Sequence, residues 1–199
     1  TNMDCGLTYS RTAALTKELA AYLQSLGLKP GDRVAIMMPN LLQYVIAMYA
    51  CLRAGYIVVN INPLYTSREV NGTLRDSEAK AIIIIENFAK TLQNALPGTK
   101  CEHIITTAVG DLFPFFKRTL VNFVVRKVKK MVPEYSLPNA VGFNEALEIG
   151  RRHGFTAHEI HNTDIAFLQY TGGTTGVAKG AILTHRNLLA NLQQVGYWL

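Results

Sequence analysis

The chain has 199 residues, of which 49% are hydrophobic, and carries a formal net charge of +6. Its length and apolar content support one domain with a buried core. General basicity directed at nucleic acid is excluded, because Lys117, Arg118, Arg126, Lys127, Lys129 and Lys130 hold the whole excess charge.

Residues 7–10 read as a short strand or turn leading into a helix over about 11–26, where Leu15, Leu19, Tyr22, Leu23 and Leu26 recur at helical spacing toward the core. Lys29-Pro30-Gly31-Asp32 is a turn, and Val34-Ala35-Ile36-Met37-Met38 is a buried strand. A helix over 41–54 follows, then the strand Tyr56-Ile57-Val58-Val59-Asn60. The stretch 41–59 is not a membrane span, since Gln43, Arg53 and the break Ala54-Gly55 interrupt it. Thr66, with Glu69 three residues on, predicts a capping box for a third helix ending near Asp76. Ala81-Ile82-Ile83-Ile84-Ile85 is the clearest strand, residues 88–96 are helical, and His103-Ile104-Ile105-Thr106 is a further strand.

Helices alternating with short, continuously apolar strands predict an α/β fold, a parallel or mixed sheet with helices on both faces. In such sheets ligands sit beyond the carboxyl ends of strands. Cys5, Cys51 and Cys101 fit no metal spacing and read as reduced, small apolar side chains of a cytosolic protein. No secretory signal pattern opens the sequence, and it stops at Trp198-Leu199 inside the pattern of another helix, so a longer natural chain is expected.

Residues 111–134 form a basic amphipathic segment without an acidic residue between Asp111 and Glu134. On a helical wheel Leu120, Val121, Val124, Val125, Val128, Met131 and Val132 share one face. Arg118, Asn122, Arg126, Lys129 and Lys130 lie opposite, Lys127 sits at the edge and Lys117 breaks the apolar face. Phe113, Phe115 and Phe116 precede the wheel, around Pro114. Two readings stand side by side: contact with an anionic membrane surface, or an ordinary surface helix docked on the core with a solvated charged face. Nucleic acid is not an expected partner, because no aromatic platform alternates with the basic residues.

The most informative stretch is Tyr170-Thr171-Gly172-Gly173-Thr174-Thr175-Gly176-Val177-Ala178-Lys179-Gly180, after the strand-like Ile165-Ala166-Phe167-Leu168. Its glycines let backbone N–H groups turn inward together, its hydroxyls add donors and Lys179 adds a positive charge, as a polyphosphate requires. Walker A spacing fails, because Lys179 follows Ala178 and precedes Gly180; the G-x-G-x-x-G fingerprint fails, because Gly172 and Gly173 are adjacent. Gly180-Ala181-Ile182-Leu183-Thr184 reads as a second short strand, so no helix N-terminus stands directly behind the loop. A glycine- and threonine-rich surface turn without a ligand is the plain alternative.

This order of residues resembles the ATP signature of the adenylate-forming, AMP-binding acyl-CoA synthetase family, matching it at Tyr170, Thr171, Gly173, Thr174, Thr175, Gly176, Lys179 and Gly180. It departs at Gly172, where Ser or Thr is usual, and at Ala178, where Pro is usual; one hydroxyl donor and one fixed φ are lost. Those departures, followed by Ala181-Ile182-Leu183-Thr184-His185-Arg186-Asn187, are similar to the bacterial long-chain fatty-acid–CoA ligases. Pro30-Gly31-Asp32-Arg33-Val34, Met38-Pro39-Asn40, Arg53-Ala54-Gly55 and Asn62-Pro63-Leu64-Tyr65 recur in series in that family. The resemblance implies that residues 1–199 are an incomplete part of the large N-terminal adenylation domain, with the acyl-binding core, the hinge and the mobile C-terminal domain with its catalytic lysine lying beyond. The 199-residue piece is expected to lack ligase turnover by itself.

The implied chemistry activates a long-chain fatty acid with ATP and Mg²⁺ to an acyl adenylate, then forms a thioester with coenzyme A as co-substrate. The whole run from Tyr170 to Gly180, Gly172, Val177 and Ala178 included, is the implied nucleotide site. Thr174, Thr175 and the amides of Gly173 and Gly176 bind the β- and γ-phosphates. Lys179 neutralises them or anchors the loop. Thr171 contacts Mg²⁺, with a glutamate partner beyond residue 199. Tyr170 either joins the site or is a buried strand end. His185 reads as structural, His103, His153, His158 and His161 form no ligand spacing, and no Ser-His-Asp set supports a hydrolase. The rivals are a ligase for another carboxylic acid and a membrane-surface or partner-binding module with a vestigial loop. The expected location is cytoplasmic; peripheral placement on the inner face of the membrane and a homodimer both stay open.

Overall fold

The computed structural model describes residues 1–171 and 179–198. Helix α1 (Tyr9–Ser25) starts where the Thr8 hydroxyl accepts the Arg11 N–H, satisfying one of the free donors of the first turn. It is followed by β1 (Arg33–Met37), α2 (Leu42–Arg53) and β2 (Ile57–Asn60). Helix α3 (Ser67–Ser77) opens on the predicted reciprocal capping box of Thr66 and Glu69. Strand β3 (Ala81–Ile85) leads through a 3₁₀ turn at Glu86–Phe88 into α4 (Ala89–Ala95), then β4 (His103–Thr107). Helix α5 (Phe115–Phe123) runs into a π-helical turn at Val124–Val128 and is followed by β5 (Ala140–Gly142), α6 (Phe143–His153), β6 (Ile165–Thr171), β7 (Lys179–Thr184) and α7 (His185–Gly196).

The described residues form one seven-stranded sheet in the order β5-β4-β3-β1-β2-β6-β7. Neighbours are parallel except β6 and β7, which pair antiparallel, so the sheet is mixed. The chain first steps from β1 to β2 and then jumps back across β1 to β3, which puts successive connections on opposite faces. One apolar layer joins Leu19 and Leu23 of α1, Ile46 of α2 and Phe143 and Leu147 of α6 to Val34, Ile36, Ile83 and Ile105. The other joins Val70 and Leu74 of α3 and Leu92 of α4 to Ala35, Met37, Ile82 and Ile84. Alternate strand residues thus feed alternate layers, and each fully buried isoleucine contributes about 1.5–3 kcal/mol relative to an exposed one.

Strand β5 and helix α6 are elements the chain-order reading leaves unassigned. The signal was present, since Phe143, Ala146, Leu147 and Gly150 recur at helical spacing and are buried. The basic segment follows its helical wheel only in part: Val121, Val124, Val125 and Val132 are half-buried and Arg118, Lys129 and Lys130 exposed, as expected. Asn122 and Arg126, expected on the solvent side, bond to the body of the protein, while Leu120 faces solvent. Polar groups beneath the helix, the Gly110 N–H and the Glu86 carboxylate, need partners, and that requirement overrides apolar burial here.

At the amino ends of the strands, Asp32 closes the turn before β1. Its carboxylate accepts the Lys29 N–H at 2.8 Å and lies 2.7 Å from Lys80 Nζ. Burial alone would raise the Asp32 carboxyl, but the Lys29 N–H and the Lys80 ammonium outweigh it and hold it below the usual carboxylate range. Arg53 donates to the Ala13 carbonyl at 2.9 Å and to Thr16 Oγ1 at 2.8 Å, tying α2 to α1.

Candidate active site

Two of the four short motifs fall at the amino ends of strands, where Asp32 and Arg53 hold the architecture. The other two fall at the carboxyl ends of β1 and β2. There a cleft of about 570 Å³ is lined by Met38 and Asn40 from one motif, Asn62 and Tyr65 from the other, and Tyr44, Asn60, Gln169 and Tyr170. The sheet topology therefore separates structural from site-forming motifs in a series that the sequence presents as uniform.

The polar groups of the cleft are amides and phenols. Asn60 Nδ2 donates to Gln169 Oε1 at 3.0 Å, and the Tyr44 hydroxyl donates to Asn60 Oδ1 at 3.2 Å. Burial pushes the Tyr44 phenol up, with the Asn60 contact opposing it. Such a lining orients a neutral polar ligand group by hydrogen bonding and leaves charge compensation to side chains outside it. Sequence patterns missed Tyr44, Asn60 and Gln169. The available signal was the polar Asn60 closing the apolar strand Ile57–Asn60 and Gln169 following the apolar run 165–168; nothing in the sequence marked Tyr44 on α2.

Strand β6 continues from this cleft to the glycine–threonine run. Tyr170 pairs with Gly180 and Thr171 with Lys179 across the β6–β7 hairpin. The ring of Tyr170 lies on Gly180, where a Cβ would stand 3.1 Å from Tyr170 Cζ, so the glycine after the lysine makes room for the aromatic ring. Tyr170 is buried, and its hydroxyl donates to Asp76 Oδ2 at 2.6 Å, fastening the end of β6 to α3. Burial first, and then the Asp76 carboxylate, push this phenol well above its ordinary range. Lys179 is exposed at the start of β7. Of the expected nucleotide residues, Gly172, Gly173, Thr174, Thr175, Gly176, Val177 and Ala178 lie outside the described residues, as does the side chain of Thr171.

Tyr170→Phe removes one donor from an acceptor that water reaches on its other side. The expected loss is about 1 kcal/mol of unfolding free energy, read by urea titration. An unchanged midpoint would show that the bond to Asp76 holds nothing. His185 is the first residue of α7, behind the Thr184 cap, and its N–H donates to the Asp164 carbonyl at 3.0 Å. His158 packs at Gly55, at the amino end of the sheet. Neither imidazole lines the cleft.

The sequence model of the AMP-binding enzyme family matches residues 2–198. The chain belongs to that family. This AMP-binding enzyme chain is 55% identical over 195 residues to a long-chain-fatty-acid–CoA ligase of Salmonella typhimurium, covering 98% of itself and 35% of that protein. It therefore spans about a third of the length of the curated relatives it matches. Among solved structures it superposes on a long-chain-fatty-acid-CoA ligase from Archaeoglobus fulgidus with a TM-score of 0.71 at 27% identity, covering 98% of this chain and 34% of that one. It also superposes on a fatty acyl-adenylate ligase from L. pneumophila, solved with acyl adenylate and pyrophosphate, with a TM-score of 0.64 at 25% identity over 98% of this chain and 28% of that one.

Proposed function

We propose that the full-length protein containing this chain activates a long-chain fatty acid and transfers it to coenzyme A. In the first half, a carboxylate oxygen attacks the α-phosphorus of ATP; the bond to the β-phosphate bridging oxygen breaks and pyrophosphate leaves with its electron pair. In the second, the coenzyme A thiol loses its proton, attacks the acyl carbon and displaces AMP, forming the thioester. A carboxylate does not react with a thiol directly, so the mixed anhydride is required.

The observation that carries this reading is the 55% identity to a long-chain-fatty-acid–CoA ligase over a stretch that includes the whole run from Tyr170 to Gly180. The position of Tyr170, the first residue of that run, near the carboxyl end of β6 and in the lining of the amide-lined cleft supports it. In this reading Thr174, Thr175 and the Gly173 and Gly176 amides hold the β- and γ-phosphates. Lys179 offsets the charge that builds on the departing pyrophosphate, where preorganised electrostatics act most strongly. Tyr170 shapes the base of the run through Asp76 and Gly180. Thr171 is the proposed ligand for Mg²⁺. Among the described residues no group of three or more His, Cys, Asp or Glu side chains is placed to hold a metal ion. ATP and coenzyme A place the reaction in the cytoplasm, and a water-insoluble acid places it at the inner face of the membrane.

ATP–pyrophosphate exchange by the full-length protein, measured across short, aromatic and long-chain acids, tests the proposal. Exchange is expected with the long-chain acids. Exchange driven only by aromatic or amino acids would replace the substrate, and no exchange with any acid would overturn the reading.

A further inference from the structure

An amphipathic helix on a protein in water ordinarily hides its apolar stripe and shows its charges. Helix α5 and the π-helical turn after it do so only in part: Val121, Val124 and Val125 are half-buried, but two polar side chains turn inward and a row of apolar ones faces solvent. Asn122 Oδ1 accepts the Gly110 N–H at 2.8 Å, and its Nδ2 donates to Asp111 Oδ1 at 3.2 Å. One turn on, Arg126 donates through Nε and Nη2 to both carboxylate oxygens of Glu86 at 2.6–3.0 Å. Glu86 is only 4% exposed, so this fork answers a buried charge and fixes the helix against the end of β3. Lys117 bonds to the Met3 carbonyl. Polar groups thus share the attachment with the half-buried Val121, Val124 and Val125.

The opposite side carries Phe116, Leu120 and Phe123, spaced by four and three residues and 87%, 63% and 57% exposed. Val128 and Met131 extend this apolar surface into the basic run of Lys127, Lys129 and Lys130, all exposed. Three occupants compete for it: a second copy, the remainder of the longer protein, or a bilayer. A two-fold contact through this face would offer Lys127, Lys129 and Lys130 no opposite charge from the same segment, which has no acidic residue between 112 and 133. The same charge pattern, aromatic and aliphatic side chains ringed by cations, complements anionic headgroups above acyl chains.

We infer that this face docks the protein on an anionic lipid bilayer, with Phe116, Leu120 and Phe123 entering the acyl boundary and Lys127, Lys129 and Lys130 meeting the headgroup phosphates. The inference rests on the peripheral location proposed above, deepens it to a surface and an orientation, and does not require the ligase chemistry.

Flotation of the full-length protein with vesicles of phosphatidylcholine alone or mixed with phosphatidylglycerol, at low and high ionic strength, tests it. Binding is expected to the anionic vesicles at low salt and to fall steeply at high salt. Lys127→Gln, Lys129→Gln and Lys130→Gln together are expected to weaken binding roughly tenfold or more. Phe116→Ser with Phe123→Ser is expected to abolish it while pyrophosphate exchange with a soluble acid persists, which separates failure of docking from failure of the ligase reading. Phe116→Trp changes only an exposed ring and is expected to shift its fluorescence to the blue on anionic vesicles. No vesicle binding, equal binding to neutral vesicles, lysine variants that bind as tightly as the parent, or a tryptophan that stays in water would each overturn the inference. The first or last would assign the face to the remainder of the protein or to a second copy.

Discussion

Gly150→Ala is expected to destabilise the protein by about 2–4 kcal/mol, although helix propensity alone would make it stabilising by about 1 kcal/mol. Gly150 lies inside α6, where that helix crosses α1. A Cβ at this position would stand 1.8 Å from the Glu18 carbonyl oxygen and 2.8 Å from both the Glu18 carbonyl carbon and the Tyr22 nitrogen. All three atoms are backbone, so no rotamer change relieves the overlap. The helices must separate by more than an ångström, which loosens Phe143, Ala146 and Leu147 against Leu15, Leu19 and Leu23. The Arg151–Glu18 ion pair, 3.0 Å across the same crossing, is exposed on the arginine side and adds too little to hold it. Urea unfolding reads the loss. Arg152→Ala, two positions along on the exposed side, is expected to shift stability by no more than about 0.5 kcal/mol and serves as the control. A raised midpoint for Gly150→Ala would mean that the two helices do not touch there.

That crossing shows what a sequence pattern does and does not carry. Ala81-Ile82-Ile83-Ile84-Ile85 declares a strand because five adjacent apolar, mostly β-branched residues suit a position buried on both faces, and it is one. Thr66 and Glu69 declare a helix start because the capping box is local, and both bonds form. Alternation of such segments was enough for the α/β class and for placing the glycine–threonine run after a strand. Strand order was not legible, since it depends on which crossovers the whole chain closes, and so the cleft was not legible either. Tyr44, Asn60 and Gln169 meet across 109 positions of sequence between Asn60 and Gln169. A helical wheel sorts α5 by hydropathy alone, whereas its mounting is decided by Glu86 and the Gly110 N–H, groups on other elements. Gly150 likewise looks like a weak point in a helix until the partner backbone is known.

Lys179→Ala in the full-length protein is expected to slow acyl-adenylate formation roughly a hundredfold to a thousandfold, the usual effect of removing one preorganised group facing developing charge. Its effect on folding should be small, because the side chain is exposed at the start of β7 and surface substitutions usually change stability by less than about 0.5 kcal/mol. The magnitude follows from when the charge appears. Bond cleavage at the α-phosphorus moves negative charge onto pyrophosphate, so an ammonium near the β- and γ-phosphates is worth more in the transition state than in bound ATP. The rate constant should therefore fall more than the affinity for ATP. An anchoring role predicts the reverse: weaker ATP binding, a lowered Tm and an adenylation rate restored by saturating nucleotide. Single-turnover formation of acyl adenylate at saturating ATP, beside thermal unfolding of the same variant, separates the two. A rate within a few-fold of the parent at saturation would take Lys179 out of the chemistry and leave it as the residue that starts β7 opposite Thr171.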